Sequence, residues 1–503
     1  MKRILIIGSL LLMASFLHAQ YAEDALRYSQ LYYQGTARNM ATGSALGAMG
    51  ADFSTLSTNP AGLGMYRKGE FSISPEVFNR KITSTYNGTA SEDARTMFDL
   101  SNVGMVTSKN IGRGANGWKY FNLGFGMNRL NNYNSNILIQ GMNDENSRVD
   151  VYVNEAVDIV NKSNQTISDA FSQESPFYIY PAWQTYLLDT ITIDGQLFID
   201  SPVFYPSNNN QTGILQSNYI ETRGSNNEWL VSVGGNFNDK LYIGATLGLP
   251  YIRYYSESLY AESDPENNYP DFNNWSITEY LNTTGWGVNF KVGVIAKPLE
   301  WMRIGVAYHT PTYYWAMRDN WYTVTTTDLF AYSLGEWYEG LYSSPNGEFE
   351  YKLTTPMRFI ANAGFIIKEN GFITGAYEYV NYSNAKFKAD YYSLSDVNLG
   401  ISSSFTATNN FRVGAEWRYS NLYFRGGYAY YANPYANNLN TGQRQSYTGG
   451  IGLRYSELAI DFAYVYSKMN TDYYLYSTPE VTTNAVTNAI SSQNFVLSIS
   501  YRY

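Results

Sequence analysis

The chain has 503 residues, 34 basic against 43 acidic, a net charge of −9 at pH 7, and no cysteine. An acidic balance without a basic run excludes a nucleic-acid surface, and the lack of thiols excludes disulfides, thiolate metal centres and a lipidated-cysteine anchor. Charged residues make up only 15% while aromatics reach 17%, with 49 Tyr and 10 Trp, which suits strands that meet lipid and end in aromatic girdles.

The first element is a leader. Lys2 and Arg3, the apolar stretch Ile4 to Leu17 and the small residue Ala19 read as a secretory signal over residues 1–19, cleaved before Gln20. That stretch falls short of the roughly 20 residues a membrane helix needs. Residues 20–68 do not alternate. Asn39 to Gly50 is rich in small residues, and Asp52 to Thr58 reads as a short helix ended by Asn59-Pro60. A segment of this kind ahead of the first strand is expected to fill a barrel as a hatch.

From residue 70 the pattern changes to period two. Fourteen strands are predicted near 70–86, 98–107, 118–140, 228–237, 240–256, 285–297, 301–315, 352–368, 372–390, 409–418, 422–432, 447–456, 458–468 and 494–503. Tight turns such as Asn238-Asp239 and Ser456-Glu457 alternate with long connections near 141–227, 257–284, 316–351, 391–408, 433–446 and 469–493. After the leader no apolar run reaches 18 residues. The expected fold is all-β: a 14-stranded antiparallel transmembrane barrel over residues 69–503, with long extracellular loops and the hatch of residues 20–68 inside.

Alternation also assigns the faces. Phe411, Val413, Ala415 and Trp417 look outward, leaving Arg412, Gly414, Glu416 and Arg418 in the lumen. Met302, Ile304, Val306 and Tyr308 face lipid, with Arg303 and His309 inside. An arginine turned to lipid at the midplane would cost about 2–4 kcal/mol, which favours one register. Arg303, Arg358, Arg412, Arg425 and Arg454 thus form the one charged constellation of note. Two roles stand open for them: bracing the interior against acids such as Glu416 and Asp461, or holding a ligand carboxylate through a guanidinium fork.

Gly43-Ser-Ala-Leu-Gly47, then Ala51-Asp-Phe-Ser-Thr-Leu-Ser-Thr-Asn-Pro-Ala-Gly-Leu63, make the chain resemble the FadL/TodX-type outer-membrane transporters of long-chain fatty acids and other hydrophobic compounds. Asn59-Pro60-Ala61 is the triplet that carries the likeness. Gly244 to Pro250, Gly305 to Pro311 and Phe411 to Trp417 extend it more weakly. The resemblance implies a monomeric barrel in the outer membrane of a Gram-negative bacterium. It further implies a hatch, an opening in the wall beside a kinked third strand, and passive uptake of hydrophobic molecules released sideways into the bilayer. The insertion at 141–227 departs from the family pattern. An alternative on the same fold is an interaction barrel, such as a shuttle component of a secretion system.

Catalytic chemistry is poorly supplied. Only His309 remains after leader cleavage, no Gly-x-Ser-x-Gly elbow occurs, and no cofactor is indicated, so an enzyme is not expected. In the first long loop Val153, Ala156, Val157, Val160, Ile167 and Phe171 approximate one helical face. Such apolar loop faces either pack on one another over the barrel mouth or offer a first groove to a greasy ligand.

Overall fold

The computed structural model describes residues 14–112, 117–193, 196–203 and 213–503, with side chains from Ala22 onward. Most of the expected leader therefore lies outside the described residues. A helix, α1 (Ala14–Ser29), comes first, followed by α2 (Ala37–Ala41). The strands then run β1 (Glu70–Tyr86), β2 (Thr89–Asn110), β3 (Trp118–Asn132) and β4 (Ser135–Asn143). Helices α3 (Arg148–Lys162), α4 (Ile167–Glu174) and α5 (Ile179–Gln184) and the hairpin β5 (Asp189–Ile193) with β6 (Gln196–Asp200) follow. The wall resumes with β7 (Ile214–Phe237), β8 (Leu241–Ser263), β9 (Phe272–Leu299), β10 (Met302–His309) and β11 (Tyr313–Ala331). Next come β12 (Glu336–Ser343), β13 (Gly347–Thr354), β14 (Arg358–Ile367), β15 (Gly371–Asn381) and β16 (Lys386–Lys388). Helix α6 (Ser395–Ser404) precedes β17 (Ala407–Tyr419), β18 (Leu422–Tyr431), β19 (Arg444–Tyr455), β20 (Leu458–Tyr473) and β21 (Val486–Arg502).

These segments merge into 14 antiparallel wall strands, because β4 continues β3, β11 continues β10, β13 and β14 continue β12, and β16 continues β15. The sheet closes where β1 pairs with β21 from Glu70↔Arg502 to Thr85↔Thr487. At the foot of that seam Gly69 and Tyr503 exchange two backbone hydrogen bonds, each 3.0 Å. A Cβ on Gly69 would sit 2.5 Å from the Tyr503 ring.

The outer surface carries the apolar half of the alternation. Phe125, Val231, Ile304, Val306, Val413, Ile451 and Leu497 are all exposed, between one ring of exposed aromatics near the tight turns (Trp118, Trp301, Trp417, Tyr455) and another higher up (Trp229, Trp286, Trp315, Tyr447). An apolar belt between two aromatic girdles on a closed sheet is the surface of a membrane-spanning barrel.

Several strands run far past that belt. β9 has 28 residues, whereas about 9–11 suffice to cross a bilayer. Residues expected as loop in 141–227, 257–284, 316–351 and 469–493 include these extensions. Above the lipid neither face of a strand meets hydrocarbon, so runs such as Thr323 to Thr327 lose the apolar half of their pattern while the backbone ladder continues.

The extensions support a cap. The apolar face expected over 153–171 is split between α3 and α4. Ser147 and Asp150 form a capping box that starts α3, and Thr166 caps α4 by accepting from the Asp169 N–H. Ala156 and Phe171 are buried with Leu187, Ile214, Tyr260 and Trp275, while Val157 faces out. Under this core lies the fully buried Glu262 carboxylate. It accepts from the Arg148 N–H (2.9 Å), Gln216 Nε2 (2.9 Å), the Tyr260 hydroxyl (2.6 Å), Trp275 Nε1 (2.7 Å) and the Ser147 hydroxyl. No basic side chain among the described residues forms an ion pair with it, so these five donors carry the stabilisation of the buried charge. Glu262→Leu strips all five of their acceptor. The expected cost is about 3–5 kcal/mol, read as protease cleavage within 144–213 while the barrel resists.

Candidate functional site

The bore is filled by the chain's own N-terminal segment. Thr36 caps α2 by accepting from the Asn39 N–H, and Asp52 caps the 3-10 turn Phe53–Ser57. Asn59 begins a second 3-10 turn, Pro60–Met65, its side chain accepting from the Ala61 N–H at 3.2 Å. Asn59-Pro60 therefore starts a turn as well as ending one: Pro at the first position loses no hydrogen bond.

The triplet Asn59, Pro60 and Ala61 is buried, with Ala61 packed on Tyr242 and Ile295 of the wall and glycines facing the rest of it. A Cβ on Gly293 would lie 2.0 Å from Asn59 Oδ1, and one on Gly244 would lie 2.2 Å from the Pro60 carbonyl. Gly64 in turn lies against Gly235, where a Cβ would come within 2.5 Å of the carbonyl. The inward glycines Gly234, Gly244 and Gly293 thus let the hatch sit directly on the wall backbone. His309 places Nε2 2.9 Å from the Thr58 carbonyl, a contact with the hatch.

The wall is interrupted at its third strand. β2 pairs with β3 only from Asn102↔Asn128 to Asn110↔Tyr120. Above that point β2 pairs with β1 alone, and β3 and β4 pair with β7 alone. Strand three breaks at Tyr133-Asn134, where the Tyr133 N–H donates to Gly224 O at 2.9 Å. Gly224 takes φ +119 there, and a Cβ would lie 2.0 Å from the Arg253 carbonyl. A strap of hatch, residues 30–36, lies across the freed edge. The Tyr32 N–H donates to Leu130 O at 2.8 Å, the Gln34 N–H to Arg129 O at 3.1 Å, and Asn131 Nδ2 to Gln30 O at 3.1 Å. The Ser101 hydroxyl reaches Gly35 O from the β2 side at 2.8 Å. Arg129 ties the two margins together, pairing Glu76 at 2.9 Å and Asp99 at 2.5 Å.

Above the strap, Ala22, Ala25, Leu26 and Tyr28 of α1 fill an apolar chamber made by Tyr133, Ile252, Tyr254, Tyr314, Met317 and Tyr351. Arg27 stacks 4.5 Å from the Tyr254 ring centre and pairs with Asp24. Glu23 accepts from the Tyr435 hydroxyl at 2.9 Å. Burial pushes the Glu23 carboxyl up from its ordinary range, and the Tyr435 hydrogen bond offsets part of that shift.

Of the five arginines expected in the lumen, the structure places four on carboxylates. Arg358 and Arg412 share Glu378 at 2.8 and 3.4 Å. Arg425 bridges Glu416 at 2.6 Å and Asp461 at 2.7 Å, Arg454 joins Asp461 at 2.9 Å, and Arg38 of the hatch joins Glu416 at 3.1 Å. Arg303 donates to Met49 O of the hatch at 2.8 Å. Arg412 keeps Nε and Nη1 without partners, as Arg303 does its Nε. Sequence reasoning missed Arg129, Arg27, Arg80 and Arg444. Arg80 sits beside Lys81, which blurs its face, and Arg444 falls in a stretch expected as loop.

Neither a family model nor a curated protein matches the sequence. Solved structures do match the coordinates. A Pseudomonas aeruginosa FadL homologue aligns with a TM-score of 0.54 at 12% identity, over 94% of this chain and 99% of that one. The toluene transporter TodX of P. putida aligns with a TM-score of 0.53 at 11% identity, over 94% and 99%. At such identities the likeness is one of fold.

Gly293→Val drives a side chain into the Asn59 carboxamide of the hatch, an overpacking cost of about 1–3 kcal/mol, and is expected to raise conductance in planar bilayers. Asn59→Ala, which removes one cap worth about 1 kcal/mol, should raise it much less. Glu23 gives α1 docking a pH dependence. Its raised value means docking takes up a proton, so this stabilisation is full below the ordinary 4.5 and is lost as pH rises through the raised value. A spin label on Gln30→Cys should accordingly gain mobility as pH rises above 4.5 through the raised value of Glu23.

Proposed function

We propose that this chain is an outer-membrane channel of the FadL/TodX type that passes hydrophobic small molecules, long-chain fatty acids foremost, and releases them sideways into the bilayer. The observation that carries this reading is the unpaired margin between β2 and the broken third strand, closed on its inner side by the strap. The apolar belt and the shared fold support an outer-membrane site, and apolar cargo agrees with one of the proteins that share the fold, a toluene transporter.

The physics is that of phase transfer without an energy source. A sixteen-carbon tail gains roughly 10–12 kcal/mol gross from a dry chamber. Release into periplasmic water forfeits that gain, whereas release through the wall into lipid keeps it. α1 and the strap occupy both the chamber and the exit, so they act as gate: cargo that displaces Leu26 and Tyr28 from the chamber loosens the segment that bolts the margin. Arg412, with two free donor groups beside the chamber, and Arg303, Arg358, Arg425 and Arg454 remain candidate contacts for a polar headgroup. The mature protein, in this reading, starts at Gln20, is a monomer and performs no reaction.

The test is uptake of labelled oleate and toluene by cells lacking other such channels, together with native mass spectrometry of the detergent-purified protein. Expression is expected to raise uptake, and the spectrum to show a leaderless chain with bound lipid. Unchanged uptake with an empty protein, or stable co-purification with a secretion pore instead, overturns the reading.

A further inference from the structure

A groove of about 510 Å³ opens on the outer face of the wall and crosses β3, β7, β8, β9, β10 and β14. Trp118, Phe121, Val292, Tyr308 and Phe359 stand exposed along its sides. Its floor is low because two outward positions carry almost no side chain. Ala245 alternates with the exposed Ile243 and Leu247, and the Trp118 ring lies over Gly235, where a Cβ would meet it at 2.6 Å. Trp118 also packs edge-on to Phe237, ring centres 5.5 Å apart, and so closes the lower end of the groove.

The groove has the depth of one leaflet. Trp118 and Trp301 belong to the exposed aromatic ring near the tight turns. Tyr308 lies seven residues along the wall from Trp301. At about 3.3 Å per residue and a strand tilt of about 45°, it stands about 16 Å higher. Half of a hydrocarbon core of about 30 Å is about 15 Å. The groove therefore climbs from the girdle on the side of the short turns, which in such barrels is periplasmic, to mid-membrane.

An outward cation marks the lower end. Lys109 is exposed and pairs in register with Phe121 of the groove. Its neighbour Ser108 turns the other way and donates to Tyr66 O of the hatch at 3.2 Å. Among the described residues Lys109 forms no ion pair, whereas Lys119 and Arg67 share Asp239 at 2.9 and 3.2 Å.

We propose that this groove binds one anionic phospholipid of the inner leaflet, its tail lying between Trp118 and Tyr308 and its phosphate on Lys109. The proposal needs only a barrel in the outer membrane and is independent of what the channel passes. Lipid tails are as apolar as the wall, so burial alone does not hold one lipid against its neighbours. Shape does. Tails that pass over Gly235 and Ala245 without entering leave a void, and a void forfeits dispersion contacts on both sides. Lys109 then selects for charge, because an ammonium at the membrane border finds its counter-ion in a headgroup phosphate.

The test is native mass spectrometry of the full-length mature protein, delipidated in detergent and titrated with dioleoylphosphatidylglycerol or dioleoylphosphatidylcholine. The wild type is expected to hold one phosphatidylglycerol about fivefold tighter than the choline lipid, the factor of one lysine beside a headgroup. Lys109→Gln should remove that preference and leave phosphatidylcholine binding unchanged. Ala245→Trp fills the floor and should weaken both lipids about tenfold. Ala415→Trp, on the lipid face of β17, should change neither. An unaltered melting temperature checks that each variant folds. Binding without a preferred first site, a preference that survives Lys109→Gln, or equal losses in the two tryptophan variants overturns the proposal.

Discussion

The contact on which the rest depends is the hatch against bare wall backbone, where Asn59 to Gly64 meet Gly234, Gly244 and Gly293. A closed sheet of 14 strands leaves a bore that water or side chains must fill. Here the hatch fills it, and only glycine on the facing strands lets the two chains approach this closely. Once the hatch is seated, its polar edges become available to the wall. Arg38 reaches Glu416, Arg303 reaches the Met49 carbonyl, and Ser57 donates to Glu228 at 3.0 Å beside Lys291. The lumen ion pairs are thus satisfied partly by the hatch and partly across strands. Removing the hatch leaves several buried charges short of a partner.

The same segment does a second job at the third strand. A β-edge with free N–H and C=O groups is a liability that a fully closed barrel would not have. The strap removes part of that liability from within, and Arg129 removes more by holding Glu76 and Asp99. What is sealed this way can be unsealed by moving one segment, without breaking the remaining ladders. A full β2–β3 ladder would be more stable and would offer no side exit.

Much of this was legible in the sequence where lipid imposes alternation. β1 spans 70–86 as expected, and β17 and β18 lie within two residues of their expected bounds. Legibility failed where the lipid ends. β11 and β12 continue through a stretch read as loop, since Thr, Asn and Tyr on both faces give no sided signal. Arg444 was lost for that reason, two residues inside the expected 433–446 connection. Arg303, Arg358, Arg412, Arg425 and Arg454 all turn inward, and Glu416 and Asp461 brace Arg425 and Arg454. The shared Glu378 of Arg358 and Arg412 and the Met49 carbonyl that holds Arg303 needed the register and the seated hatch. The role of Asn59 needed coordinates too, because a helix-ending Asn-Pro and a turn-starting Asn-Pro read alike along the chain.

The clasp between Gly69 and Tyr503 bears on how such an object is made. The hatch joins the wall through Arg67-Lys68-Gly69 alone, immediately beside the seam where the cylinder zips shut. A plug of this bulk enters an unzipped sheet far more readily than a finished tube. Biogenesis then has an order built into it: load the stopper, and let the final strand lock its tether as the last stitch is drawn.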